Sequence, residues 1–264
     1  MNRLDRVFAR GRKAFIPYVT AGYPSVAETV EILHQAVAHG ADILELGYPF
    51  SDPTADGPVL QVSAQVALQR GFTRPDYFTI LRTFRQRDPQ TPVVVFSYYN
   101  PIFHLGTERF VQTVAEAGAD AMLVVDLPFE EQGELRPCLD RAGMHLIQLI
   151  APTTPEARAR AILAQASGFV YQIARLGVTV ARTELSTERA GQAARLRQWT
   201  SLPIALGFGV STPEQAATVA RYTDGVIVGS AIVKTITDHL PDYQAPLQAQ
   251  VQALADAIHA CTPG

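Results

Sequence analysis

Two cysteines in 264 residues are too few for a disulfide framework. Cys138 and Cys261 lie far apart, without a CxxC or Cys/His neighbour, so a reducing cytoplasm is the expected setting. No apolar run approaches the roughly 20 residues that span a bilayer, so no membrane anchor is expected. Basic excess is also missing. The net charge of −3 leaves no footprint for nucleic acid. The six histidines, among them His34, His39, His104 and His145, show no ligand spacing such as HExxH, and no metal site is expected. Low-complexity runs and linkers are lacking, which argues for one domain over residues 1–264. The Arg-rich residues 1–13 read as a short helix, because Leu4, Val7 and Phe8 share one helical face. A strand expected from Phe15 leaves no room there for a cleavable leader.

What the chain does have is a repeat. His39-Gly40-Ala41-Asp42 runs into Ile43-Leu44-Glu45-Leu46, and Ala117-Gly118-Ala119-Asp120 into Ala121-Met122-Leu123-Val124. Tyr222-Thr223-Asp224-Gly225 runs into Val226-Ile227-Val228-Gly229. In the first two, the glycine suits the residue just past a helix end, and a buried strand follows. The same unit sought elsewhere gives eight strands: 15–20, 42–47, 93–98, 121–126, 145–150, 168–174, 203–207 and 225–229. Short apolar runs of this kind fit strands covered on both faces. Helical patterns lie between them. Thr154-Pro155-Glu156, Ser211-Thr212-Pro213-Glu214 and Thr73 before Arg74-Pro75-Asp76 give start signals. Eight βα units over residues 14–264 predict a (β/α)8 TIM barrel, with an open doubly wound sheet as the alternative.

In such a barrel the chemistry sits at the C-terminal ends of the strands. Glu45 shares a strand face with Ile43 and Gly47, while Leu44 and Leu46 take the other. If the leucines pack under helices, Glu45 points inward, where burial raises its pKa and suits it to acid–base work. A buried glutamate satisfied by a neighbouring hydroxyl or amide is an equal reading of the residue alone. In Ala55-Asp56-Gly57-Pro58, Asp56 reads on spacing as an Asx-turn cap for the next helix, with catalysis the minority reading. Asp52 before Pro53 reads as a brace. Gly207-Phe208-Gly209 and Gly229-Ser230 end adjacent strands, and two glycine-bearing turns there suit a phosphate group. Gly177-Val178-Thr179 opens a long segment, with no clear helix before about Arg189, that reads as a lid. The residues alone thus lead to a barrel enzyme that acts on a small phosphorylated molecule through carboxylates.

The stretch Glu45-Leu46-Gly47-Tyr48-Pro49-Phe50-Ser51-Asp52-Pro53-Thr54-Ala55-Asp56-Gly57-Pro58 resembles the signature of the tryptophan synthase alpha subunit family. Pro17–Gly22, Ala151–Pro155, Leu176–Thr179 and the two glycine turns extend the resemblance along nearly the whole chain. It implies cleavage of indole-3-glycerol phosphate to indole and glyceraldehyde 3-phosphate. In that frame Glu45 shuttles protons, and Asp56 holds the indole N–H. Tyr171 stands near the reacting carbon; Tyr18, Tyr98 and Phe208 line the indole pocket, and Thr179 also meets the substrate. Gly177, Val180, Gly209, Gly229 and Ser230 would hold the phosphate. The resemblance implies no cofactor in this subunit and a pyridoxal-phosphate beta subunit as partner. The family usually has glycine where Val180 stands. A stand-alone indole-releasing lyase, or a weakly active module that docks on and activates a beta subunit, are the alternatives.

Overall fold

The computed structural model describes residues 1–173, 182–207 and 209–261, and of residues 182–189 only the backbone. The predicted strands form one parallel ring. They are β1 (Ala14–Thr20), β2 (Leu44–Gly47), β3 (Val93–Ser97), β4 (Ala121–Val124), β5 (His145–Leu146), β6 (Gln148–Ile150), β7 (Val170–Ile173), β8 (Ile204–Gly207) and β9 (Gly225–Val228). The hydrogen-bonded order is β5-β4-β3-β2-β1-β9-β8-β7-β6. The strand predicted over 145–150 appears as two pieces, β5 on β4 and β6 on β7, separated by Ile147 alone. The Ile147 N–H still donates to Met122 O at 2.8 Å. Nine segments therefore make eight staves, and 145–150 joins the two ends of the ring. This is a TIM barrel, not an open sheet.

Helices clad the outside, and the N-terminal one covers less than predicted. It spans Arg3–Phe8, fixed by a capping box between Asn2 and Asp5. Leu4 and Val7 are buried, and Phe8 packs on Phe169. Thr73 and Thr212 cap their helices as their sequences imply. Thr154 does not: Pro155 is the N-cap residue, and the Thr154 hydroxyl accepts the Ala151 N–H at 3.1 Å. The helix expected from about Arg189 begins at Arg182. The stretch Arg-Thr-Glu-Leu-Ser-Thr-Glu-Arg that opens it is almost all polar, so it carries little apolar periodicity to read.

The repeat aspartates turn out to be braces at the N-terminal end of the barrel. Asp42 takes the Phe15 N–H and returns its own N–H to the Phe15 carbonyl, both at 2.9 Å. Asp120 does the same with Val93, both at 2.9 Å. Asp224 does it with Ile204, at 2.9 and 2.7 Å. Each aspartate so locks the start of one stave to the start of the one before it. The carboxylates are paired as well: Asp42 with Arg12 and His259, Asp120 with Arg3 and Arg85, Asp224 with Arg197 and, more distantly, Lys13.

Candidate active site

Strand alternation carries Glu45 into the barrel, where Tyr18, Glu45 and Val94 stand in register across β1, β2 and β3. Leu44 and Leu46 are buried on the other face. Glu45 is 1% exposed, and its Oε1 has no hydrogen-bond partner among the described residues. The reading of a glutamate quietly satisfied by a neighbour is not what the fold shows. Desolvation, with the Asp56 charge adding to it, pushes the Glu45 carboxyl up to about 8.

Asp56 lies on the loop between β2 and the helix Pro58–Gln69. The N-cap of that helix is Gly57, with no side-chain cap hydrogen bond. The Asx-cap reading of Asp56 therefore fails, and its carboxylate is left for another use. It accepts a hydrogen bond from the Tyr98 hydroxyl at 3.1 Å, and the same hydroxyl accepts the Ala55 N–H at 2.9 Å. Tyr98, fixed at the end of β3, thus pins the loop and aims Asp56. Burial raises the Asp56 carboxyl and the Tyr98 hydrogen bond lowers it, leaving it at about 6. Asp52 keeps to the bracing role: it accepts the Ser51 hydroxyl at 2.5 Å in an exposed turn.

A cavity of about 470 Å³ opens at the C-terminal end of the strands, lined by both carboxylates. Tyr18 and Tyr171 form part of its wall. Each leans its hydroxyl over a glycine on the next stave, Tyr18 over Gly47 and Tyr171 over Gly207. A Cβ on either glycine would fall well inside van der Waals distance of the tyrosine ring. Burial raises both phenols above their ordinary value, so both stay protonated.

The glycine turns reach the same cavity. Gly209, at φ 81°, lies beyond β8, and Gly229 caps the helix Ser230–Asp238 beyond β9. Gly209, Gly229 and Ser230 all face the cavity. Backbone N–H groups at a helix start beside a second glycine turn suit a phosphate. Tyr98 is buried but lies outside the cavity lining, so it serves the site through Asp56. The sequence reading missed Phe96, Ser211 and Ile227, which also line it. Phe96 was legible by alternation, two residues before Tyr98 on the strand expected over 93–98. Ser211 had only its place just beyond a glycine turn to mark it.

The model of the tryptophan synthase alpha chain family matches residues 4–261. This chain belongs to the tryptophan synthase alpha chain family. A relative from Marinobacter nauticus is 43% identical over 263 residues, 98% of this chain and 96% of its own. One from Thioalkalivibrio sulfidiphilus is 45% identical over 260 residues, 97% of this chain and 98% of its own. The crystal structure of tryptophan synthase subunit alpha from Legionella pneumophila superposes with a TM-score of 0.90 at 38% identity, covering 98% of each chain. Membership places the chain in tryptophan biosynthesis. Of the residues that the alpha-chain resemblance assigned, Gly177, Thr179, Val180 and Phe208 lie outside the described residues. The others, Tyr18, Glu45, Asp56, Tyr171, Gly209, Gly229 and Ser230, come together around one cavity, with Tyr98 behind Asp56. Among the described residues no helix is long and apolar enough to cross a membrane.

Proposed function

We propose that this chain cleaves indole-3-glycerol phosphate through two carboxylates held in opposite protonation states. One observation carries the reading: a buried, unpartnered Glu45 at about 8 shares a cavity with Asp56 at about 6. Near pH 7 the first is mostly a carboxylic acid and the second mostly a carboxylate. Glu45 gives its proton to C3 of the indole ring. The positive charge spreads to the ring nitrogen, whose N–H donates to Asp56. Glu45, now ionised, takes the proton of the side-chain hydroxyl on the adjacent carbon. That carbon becomes an aldehyde, the C–C bond breaks, and its electron pair returns to the ring. Glu45 ends as it began, so one residue serves as acid and then base. The turns at Gly209 and Gly229-Ser230 would hold the phosphate end. Gly177, Thr179, Val180 and Phe208 keep the roles the resemblance gives them.

The family's partner is a beta subunit carrying pyridoxal phosphate, and the proposed assembly is an α2β2 complex in the cytoplasm. The exposed rim of the Asp52 loop and the exposed Phe103 beyond β3 suit such a docking face. The deciding experiment assays the purified chain on indole-3-glycerol phosphate, with and without a beta subunit. A beta-dependent rise in indole release supports the complex; high turnover alone indicates a self-sufficient lyase. No turnover in either condition removes the lyase reading and leaves a docking module, which valine at position 180, where the family usually has glycine, would then help explain.

A further inference from the structure

At the N-terminal end of the barrel, opposite the active site, a smaller cavity of about 190 Å³ is lined by Arg12, Lys13, Arg197, Ser201 and Asp224. Three cations face one carboxylate there. Arg12 is committed to Asp42, and Arg197 donates to Asp224 Oδ1 at 2.9 Å. Lys13 is the exception. It is 3% exposed, and its Nζ makes no hydrogen bond to a described residue. The nearest carboxylate oxygen, on Asp224, is 3.9 Å away and already holds Arg197. A largely buried ammonium held by one long ion pair keeps donors that a further acceptor in the cavity could take. Desolvation depresses the Lys13 pKa accordingly. An anion entering the cavity would supply acceptors for Lys13 and Ser201 and offset the excess positive charge.

We infer that this cavity is a second anion site, taking a phosphate group between Lys13, Arg197 and Ser201. Lys13, Arg197 and Ser201 line the same cavity, and a phosphate brings more acceptor oxygens to share among them than a carboxylate does. A phosphate bound there ties the segment after the first helix to Arg197 and Ser201. It therefore stabilises the fold and takes no part in turnover.

Trp199, the only tryptophan of the chain, lies two residues from Arg197 and two from Ser201 in sequence, with its ring under Arg160, and serves as the reporter for this end. The full chain is titrated with inorganic phosphate, and in parallel with glycerol 3-phosphate and acetate, at constant ionic strength. Trp199 fluorescence and the melting midpoint are followed. The expected result is a saturable fluorescence change with phosphate and a melting rise of several degrees at saturation. Lys13→Met and Arg197→Gln should each weaken this binding about tenfold or more, with indole release unchanged. Response to glycerol 3-phosphate as well as phosphate would show that the site accepts phosphomonoesters; response to phosphate alone would restrict it to the free ion. An acetate response as strong as that to phosphate overturns the assignment. So does a phosphate response that both variants retain, or no saturable fluorescence change in the unsubstituted chain.

Discussion

Asp42, Asp120 and Asp224 at one end of the barrel and Glu45 and Asp56 at the other are all carboxylates wholly or partly withdrawn from water, yet they are treated in opposite ways. Each of the three aspartates accepts a strand-start N–H and holds at least one cation. Burial works against the charge of Asp42, but hydrogen bonds from His259, the Phe15 N–H and Arg12 outweigh it and hold its carboxyl below the ordinary value. Glu45 receives nothing of the kind, and Asp56 only a tyrosine hydroxyl. The fold surrounds the carboxylates that brace it with donors and leaves the two that face the cavity with little or no such support.

The contrast can be broken most severely from the catalytic side. Glu45→Gln should lower indole release by about 10²- to 10⁴-fold, and Asp56→Asn by about 10²- to 10³-fold, measured as kcat on purified protein. Stability should not suffer in either. Near wild-type turnover would remove the residue from the mechanism.

The mirror experiment is Asp120→Ala. It takes the carboxylate from Arg3 and from the mostly buried Arg85, which is left with backbone carbonyls alone, and frees the Val93 N–H. Unfolding in urea should show a loss of about 3–5 kcal/mol, with kcat per folded molecule unchanged. A stability loss much under 1 kcal/mol would show that the brace is ornamental.

Acidity separates the two ends by sign. Glu45 has a folded pKa above its unfolded one, so the native state binds the extra proton. Its contribution to stability is complete below about 4.5 and declines as pH rises towards about 8, on the order of a few kcal/mol in all. Asp42 works the other way: its contribution is present above its unfolded pKa and is lost as pH falls through the depressed folded value. Melting followed from pH 5 to 9 should decline for the wild type and flatten in Glu45→Gln. An unchanged slope in the variant would mean that Glu45 does not titrate in this range.

The smallest effect expected is at Tyr98. Tyr98→Phe removes the hydrogen bond that lowers the Asp56 pKa, so the acid limb of kcat/KM should move from about 6 to higher pH. The rate at the optimum should fall about tenfold or less, because Ala55 and Asp56 lose their anchor. A profile that keeps its acid limb would detach Tyr98 from Asp56.

The sequence carried the barrel because buried parallel strands announce themselves as apolar runs between helix ends; all eight staves were legible, though the break at Ile147 was not. Glu45 was legible from alternation, which is a strict geometric rule. Asp56 was not, since its use depends on Tyr98, 42 residues away in the chain, and the resemblance supplied what spacing could not. The repeat aspartates were visible as letters. Their bracing role was hidden because it needs two neighbouring staves in register. The polar start of the helix at Arg182 left no periodic signal at all.

Joining β5 to β6 through Ile147 has a consequence for the life of the chain in a crowded solution. A sheet that ends somewhere offers its last strand to any other chain with free amides, and that is a common first step in aggregation. Among the strands described here there is no last strand: the stretch 145–150 meets Ala121 and Met122 on one side and Val170 to Gln172 on the other. The seam of the ring is thus also its shield, and two short pairings guard it.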